Sequence, residues 1–265
     1  MSGSTPVRHA WLPGTVRRRL DPAGRFGLRV TLAALAILLI AIPFAFLLLQ
    51  VRRSGPLLSV DRSVANTLHD AVRGREHLAL SFKTVTSIGT FFGHGLLVLF
   101  GTVVLARARR WRLMAFLLST TIGGWILNNA VKIAVGRQRP TFDDPLATAH
   151  GLSFPSGHAM NSVVVLGALL MVFLPAVRPA RHRLVVAATV LLMLLIGFTR
   201  LALGVHYLTD VVAGFVLGAA WLAACVAAFS VWRIERGRGP VHAIEGLEPE
   251  ATADLRAATT SQGSG

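Results

Sequence analysis

At 265 residues, 53% of them hydrophobic and only 15% charged, with a mean hydropathy of +0.60, the chain is too apolar for an ordinary soluble domain, which carries about 25% charged residues; it reads as an integral membrane protein. Its net charge of +15 is almost all arginine, since Lys83 and Lys132 are the only lysines, and the arginines gather at the ends of apolar runs, where topology determinants belong, and not in a nucleic-acid-binding stripe. The single Cys225 excludes a disulfide framework and a thiolate metal site.

Six apolar stretches are long enough to cross a bilayer as helices, at about 20 residues each. They run over 30–51, 85–106, 113–135, 158–177, 184–203 and 208–231. The expected fold class is therefore all-α: a polytopic membrane bundle of six helices over 30–233, flanked by tails at 1–29 and 234–265 rich in Gly, Ser, Thr, Pro and charge, which are expected to be poorly ordered. The first stretch is too long for the apolar core of a signal peptide and ends on Arg52-Arg53. Pro43 is expected to kink it.

Between the first two stretches, residues 54–81 place Val60, Val64, Leu68 and Val72 every fourth residue. That spacing predicts an amphipathic helix, lying on the membrane surface or capping the bundle.

An even number of spans puts both tails on one side, with the loops after the second and fourth spans. That side holds seventeen of the basic residues and the other side ten, which predicts tails in the cytoplasm of a cytoplasmic-membrane protein. In the same register three polar islands fall together at the opposite, outer face: Lys132-x6-Arg139-Pro140, Pro155-Ser156-Gly157-His158 and Thr199-Arg200-x5-His206-x3-Asp210. Ionisable groups so close to apolar spans are costly, and their convergence marks a functional site.

The residue types suit phosphoryl chemistry. Lys132 and Arg139, seven residues apart, share a face if the helix of the third span continues to Pro140. Gly157 lets backbone approach a ligand at the start of a helix, and Ser156 either caps that helix or donates to a phosphate oxygen. His158 titrates in the range needed to pass a proton. His206 and Asp210, four apart, share a helix face, so that Asp210 can orient the imidazole and leave its other nitrogen free to attack, although a structural pair tying two helices uses the same spacing. Arg200 offers a planar fork for phosphate oxygens. Two histidines and one carboxylate among three cations repel a dication, so no metal and no cofactor are expected. Asn128 is read as a helix-packing amide, His94 as a packed contact and Asp143, Asp144 and His150 as loop residues. Arg137 is set aside.

In this order and spacing the islands resemble the signature of the type 2 phosphatidic acid phosphatases, which are related to vanadium haloperoxidases and bacterial acid phosphatases. The match covers residues 132–210 and departs only where Thr199 stands for serine, with the hydroxyl kept. The resemblance implies that His206 attacks phosphorus to form a phosphohistidine, that Asp210 orients it, and that His158 protonates the leaving group and then activates water. It implies that Lys132, Arg139, Arg200, Ser156 and Gly157 hold the phosphoryl oxygens.

The expected function is hydrolysis of a lipid phosphate drawn from the bilayer, without metal. Undecaprenyl pyrophosphate ranks first, then phosphatidic acid and phosphatidylglycerol phosphate. The competing readings are a lipid-linked phosphotransferase working through the same intermediate, and a transporter without chemistry, against which His158, His206 and Asp210 argue.

Overall fold

The computed structural model describes residues 42–53, 55–235 and 247. Most of both predicted tails, and residues 30–41 of the first predicted span, lie outside them; Leu247 alone is described beyond the last helix, with its N–H on the Met171 carbonyl at 3.0 Å. The described residues are helical, with no strand among them. In chain order the helices are α1 (Ile42–Arg52), α2 (Leu57–Val72), α3 (Glu76–Ile88), α4 (Phe91–Arg107), α5 (Trp111–Val135), α6 (Gly157–Phe173), α7 (His182–Ala202) and α8 (Leu208–Glu235).

Four helical segments, Trp111–Val135, Gly157–Ala176, Pro179–Ala202 and Leu208–Ser230, are long and apolar enough to span a membrane, and a fifth is obtained if α3 and α4 count as one. The six-span expectation is therefore not reached among the described residues. Where the sequence reads one helix over 85–106, the chain bends by 41° between Ile88 and Phe91. The reason is local: Gly89 closes α3, and Thr90 starts α4 by accepting the Gly93 N–H on its hydroxyl at 3.0 Å. Gly93 has to be glycine, because a Cβ there would lie 2.4 Å from the Ser87 carbonyl oxygen.

The stretch 54–81 also divides. Gly74, at φ +75°, turns the chain between α2 and α3. The buried face of α2 is Asp61, Ala65, His69 and Val72, while Val60 is exposed. The helix packs on α7 and α8, with its buried face turned by one residue from the apolar stripe at Asp61, Ala65 and His69 and coinciding with it at Val72.

Small residues draw the central helices together, as in membrane bundles generally. A Cβ on Gly214 of α8 would meet the Ser156 carbonyl oxygen at 2.7 Å, and one on Gly218 the Met160 carbonyl oxygen at 2.8 Å, so α6 and α8 pack backbone to backbone. Away from the rim, Leu105, Leu113, Phe116, Leu117, Ala168, Val172 and Phe229 form an apolar core. Leu96, Leu99, Phe100, Ile122, Ile126, Leu191 and Leu194 face outward, as lipid-facing side chains do.

Candidate active site

α5 does not continue to Pro140. It stops at Val135, where Gly136 adopts a left-handed φ of 70° and its N–H meets the Lys132 carbonyl at 2.9 Å. Lys132 and Arg139 therefore reach the site by different routes, one from the last helical turn and one from the loop beyond it. Lys132 Nζ donates to the Leu152 carbonyl at 2.8 Å. Its stem lines the place where a Gly157 side chain would stand, since a Cβ there would be 3.2 Å from Asn128 Oδ1 and 3.9 Å from Lys132 Cε. Asn128 itself donates to Met160 Sδ at 3.3 Å, a packing role.

Arg139 spreads its fork across the loop. Nε and Nη2 donate to the Gly151 and His150 carbonyls at 3.0 and 3.2 Å, and Nη1 reaches the Val205 carbonyl at 2.8 Å and His206 Nε2 at 3.0 Å. A guanidinium only donates, so His206 Nε2 carries its lone pair toward Arg139 and the ring proton sits on Nδ1. Nδ1 faces Asp210 Oδ2 at 3.4 Å. The spacing of four thus brings His206 and Asp210 into contact, on a His206 that is 2% exposed. Burial lowers the His206 imidazole from 6.5 to about 4, against the hydrogen bond and charge of Asp210, which raise it. The ring is neutral at physiological pH. Burial likewise draws the Arg139 guanidinium below its ordinary value.

Asp210 is fully buried and held from several directions. Oδ2 accepts from Ser153 Oγ at 2.5 Å and from the Tyr207 N–H at 2.9 Å; Oδ1 accepts from Arg137 Nη1 at 2.7 Å. Its carbonyl accepts the Ser156 N–H at 2.9 Å, which joins the second and third islands. Arg137 and Ser153 were not singled out from the sequence. A signal existed for Arg137, a third cation placed between two that were chosen.

Ser156 occupies the N-cap position of α6, but its hydroxyl makes no capping bond. The Ser156 hydroxyl, His158 Nε2 and Arg200 Nε are buried polar atoms without a partner among the described residues. Orphaned buried polar groups of this kind call for a ligand or water. The His158 ring fills the space beside Gly89 at the α3–α4 elbow, its Cδ2 2.9 Å from where a Gly89 Cβ would stand. Arg200 is anchored by Thr86 of α3, Nη1 to Oγ1 at 3.0 Å. Thr199 turns its hydroxyl to the Ile196 carbonyl at 2.6 Å, a bond that serine makes equally well.

All eight residues selected from the sequence, Lys132, Arg139, Ser156, Gly157, His158, Arg200, His206 and Asp210, thus meet at one end of the bundle. Asp144 takes part only through the loop, its carbonyl accepting from His69 Nε2 at 2.8 Å and its carboxylate pairing with Arg73 at 3.3 Å. His94 is buried, with no partner for Nε2 among the described residues. Among the described residues no cluster of three or more His, Cys, Asp or Glu is suited to a metal ion.

Fold and site together define a helical membrane protein in which three separated motifs bring Lys132, Arg139 and Arg200 to one rim. Residues 112–234 match the PAP2 superfamily. It is 38% identical over 96 residues to phosphatidylglycerophosphatase B of Bacillus subtilis, covering 35% of this chain and 46% of the relative. It is 31% identical over 113 residues to a lipid A 1-phosphatase of Rhizobium etli, covering 39% and 45%. The chain thus spans about half the length of the curated relatives it matches. A solved crystal structure, that of a transmembrane PAP2-type phosphatidylglycerolphosphate phosphatase from Bacillus subtilis, superposes with a TM-score of 0.64 at 26% identity, covering 71% of this chain and 93% of that one.

Proposed function

We propose that the protein is a lipid phosphate phosphatase working through a phosphohistidine on His206. The observation that carries this reading is the buried His206, whose Nε2 faces the Arg139 fork while Asp210 stands at the opposite nitrogen. An incoming phosphate monoester takes over the donors of Arg139, Lys132 and Arg200 and meets the unpartnered Ser156 hydroxyl. Nε2 then forms a bond to phosphorus as the phosphorus–alkoxide bond breaks, and the leaving oxygen takes a proton from His158. The phosphate dianion supplies the negative charge that favours a protonated His158. In the second half His158 removes a proton from water, the water oxygen attacks phosphorus, and the phosphorus–nitrogen bond breaks to release inorganic phosphate and neutral His206. The cations stabilise charge that develops on the equatorial oxygens.

The apolar outward faces suit a substrate whose tail stays in the bilayer while its head group reaches the rim. The relatives favour a lipid phosphomonoester such as phosphatidylglycerol phosphate over undecaprenyl pyrophosphate, the first choice from sequence. The arginine bias supports a site on the outer face of a cytoplasmic membrane.

The test is phosphate release by purified protein, in EDTA, from phosphatidylglycerol phosphate, phosphatidic acid and undecaprenyl pyrophosphate, with His206→Ala alongside. Release by the wild type that disappears in the variant is expected, fastest from phosphatidylglycerol phosphate. Undiminished release by His206→Ala overturns the reading.

A further inference from the structure

Asp61 lies in α2, outside the three motifs and outside the segment that matches the superfamily, yet it is fully buried. Its Oδ1 accepts the Thr209 N–H at 2.9 Å, and its Oδ2 accepts from Thr209 Oγ1 and from Arg137 Nη2, both at 2.6 Å. Arg137 turns its other terminal nitrogen, Nη1, to Asp210 Oδ1 and to Thr209 Oγ1, each at 2.7 Å. Its guanidinium also lies over the Tyr207 ring, 4.2 Å from the centroid. One side chain therefore bridges two buried carboxylates 149 positions apart in sequence, and the second of them orients His206.

We infer that Arg137 and Asp61 are positioning residues for the reaction at His206: Asp61 fixes the Arg137 fork, and the fork fixes the rotation of the Asp210 carboxylate. The inference rests on the function proposed above. Among the described residues Asp210 Oδ1 has no other side-chain partner than Arg137, whereas Oδ2 is shared by Ser153, the Tyr207 N–H and His206. Releasing Oδ1 frees the carboxylate to rotate about its last bond and misdirects the acceptor that holds the His206 tautomer. Lysine keeps the charge at 137 but lacks the planar fork needed to reach both carboxylates. Asparagine at 61 keeps the acceptor for Thr209 and removes the charge that holds Arg137. The selection of a charged pair here is consistent with its burial, because two carboxylates so near each other need a cation between them. The outcome is a link from α2 to the nucleophile that runs through named atoms.

The experiment measures kcat and KM for phosphate release by Arg137→Lys, Asp61→Asn and their double variant, each purified as a folded monodisperse protein, against wild type and His206→Ala. The substrate is the lipid that the wild type turns over fastest. Each single variant is expected to lose about 10- to 100-fold in kcat, the range typical of residues that orient a reacting group. KM is expected to stay within about twofold, because neither side chain holds phosphate. The double variant is expected to be no slower than Arg137→Lys, since both act through one chain of contacts. Wild-type kcat in both singles, losses that multiply in the double, or a rise in KM at unchanged kcat overturns the inference while an inactive His206→Ala leaves the phosphatase reading standing. If Asp61→Asn does not fold, Arg137→Lys decides the question by the same split. An active His206→Ala overturns the function itself, and the positioning role with it.

Discussion

Helices α2 and α4 have almost the same length, 16 and 17 residues, and hide opposite things. α2 buries Asp61 and His69 and leaves Val60 exposed; α4 leaves Phe91, Phe92, Leu96, Leu99 and Phe100 exposed and buries His94 and Gly101. In α4 the outward face is apolar because hydrocarbon is the solvent it meets. The inward face of α2 carries Asp61 and His69, which bond to Thr209, Arg137 and the Asp144 carbonyl around the candidate site. Exposed hydrophobicity thus marks the lipid-facing side, and buried charge marks the candidate site.

The largest effect that can break this comparison is on the polar side. Asp210→Asn is expected to lower kcat by about 10³- to 10⁴-fold, as the loss of an orienting carboxylate does elsewhere, whereas Leu99→Ala on the outer face of α4 leaves kcat unchanged. Comparable turnover in the two variants would remove the distinction. A second contrast uses glycine. Gly214→Ala sets a methyl 2.7 Å from the Ser156 carbonyl oxygen and is expected to destabilise by about 1–3 kcal/mol, while Gly95→Ala, with nothing within 4 Å, gains up to about 1 kcal/mol from helix propensity. Thermal unfolding in one detergent compares them directly.

The third prediction concerns pH. His206 is lowered to about 4 from 6.5, so the native state binds fewer protons than the unfolded chain between these values. Stability is then at its full value above pH 6.5 and falls as pH drops through 4. His206→Gln is expected to show a shallower loss over that window, read as the difference in melting temperature between the two proteins. The smallest effect belongs to the exposed stripe of α2: Val60→Ser is expected to change stability by no more than about 0.5 kcal/mol.

The motif residues were legible in the sequence because each carries its chemistry in its own side chain and because a charge beside an apolar span needs a reason. Asp61 was not legible. Nothing in α2 separates it from the solvated Asp70, and its partners lie 76 and 148 positions away. Arg137 was passed over because a cation between two other cations reads as more of the same, until the two carboxylates it bridges are seen. The helix stop at Gly136 was available in the residue type, but the spacing of seven between Lys132 and Arg139 suggested a continuous helix. Within the second apolar run, Gly89-Thr90 carried the stop and start of two helices; continuous hydrophobicity on both sides concealed it. The bundle was readable where the pattern reported on lipid, and misread where backbone stops interrupted that pattern.

The bare start of α6 has one more consequence. The first turn of α8 has acidic company, with Asp210 within it and Asp61 on the Thr209 N–H. The first turn of α6 contains no acid, and its Ser156 makes no side-chain capping bond. The macrodipole of α8 is thereby neutralised within the protein, while that of α6 ends at the candidate site with about half a positive charge uncompensated. Part of the field felt by an anion at this rim therefore comes from peptide groups and persists in any variant that lacks a single lysine or arginine.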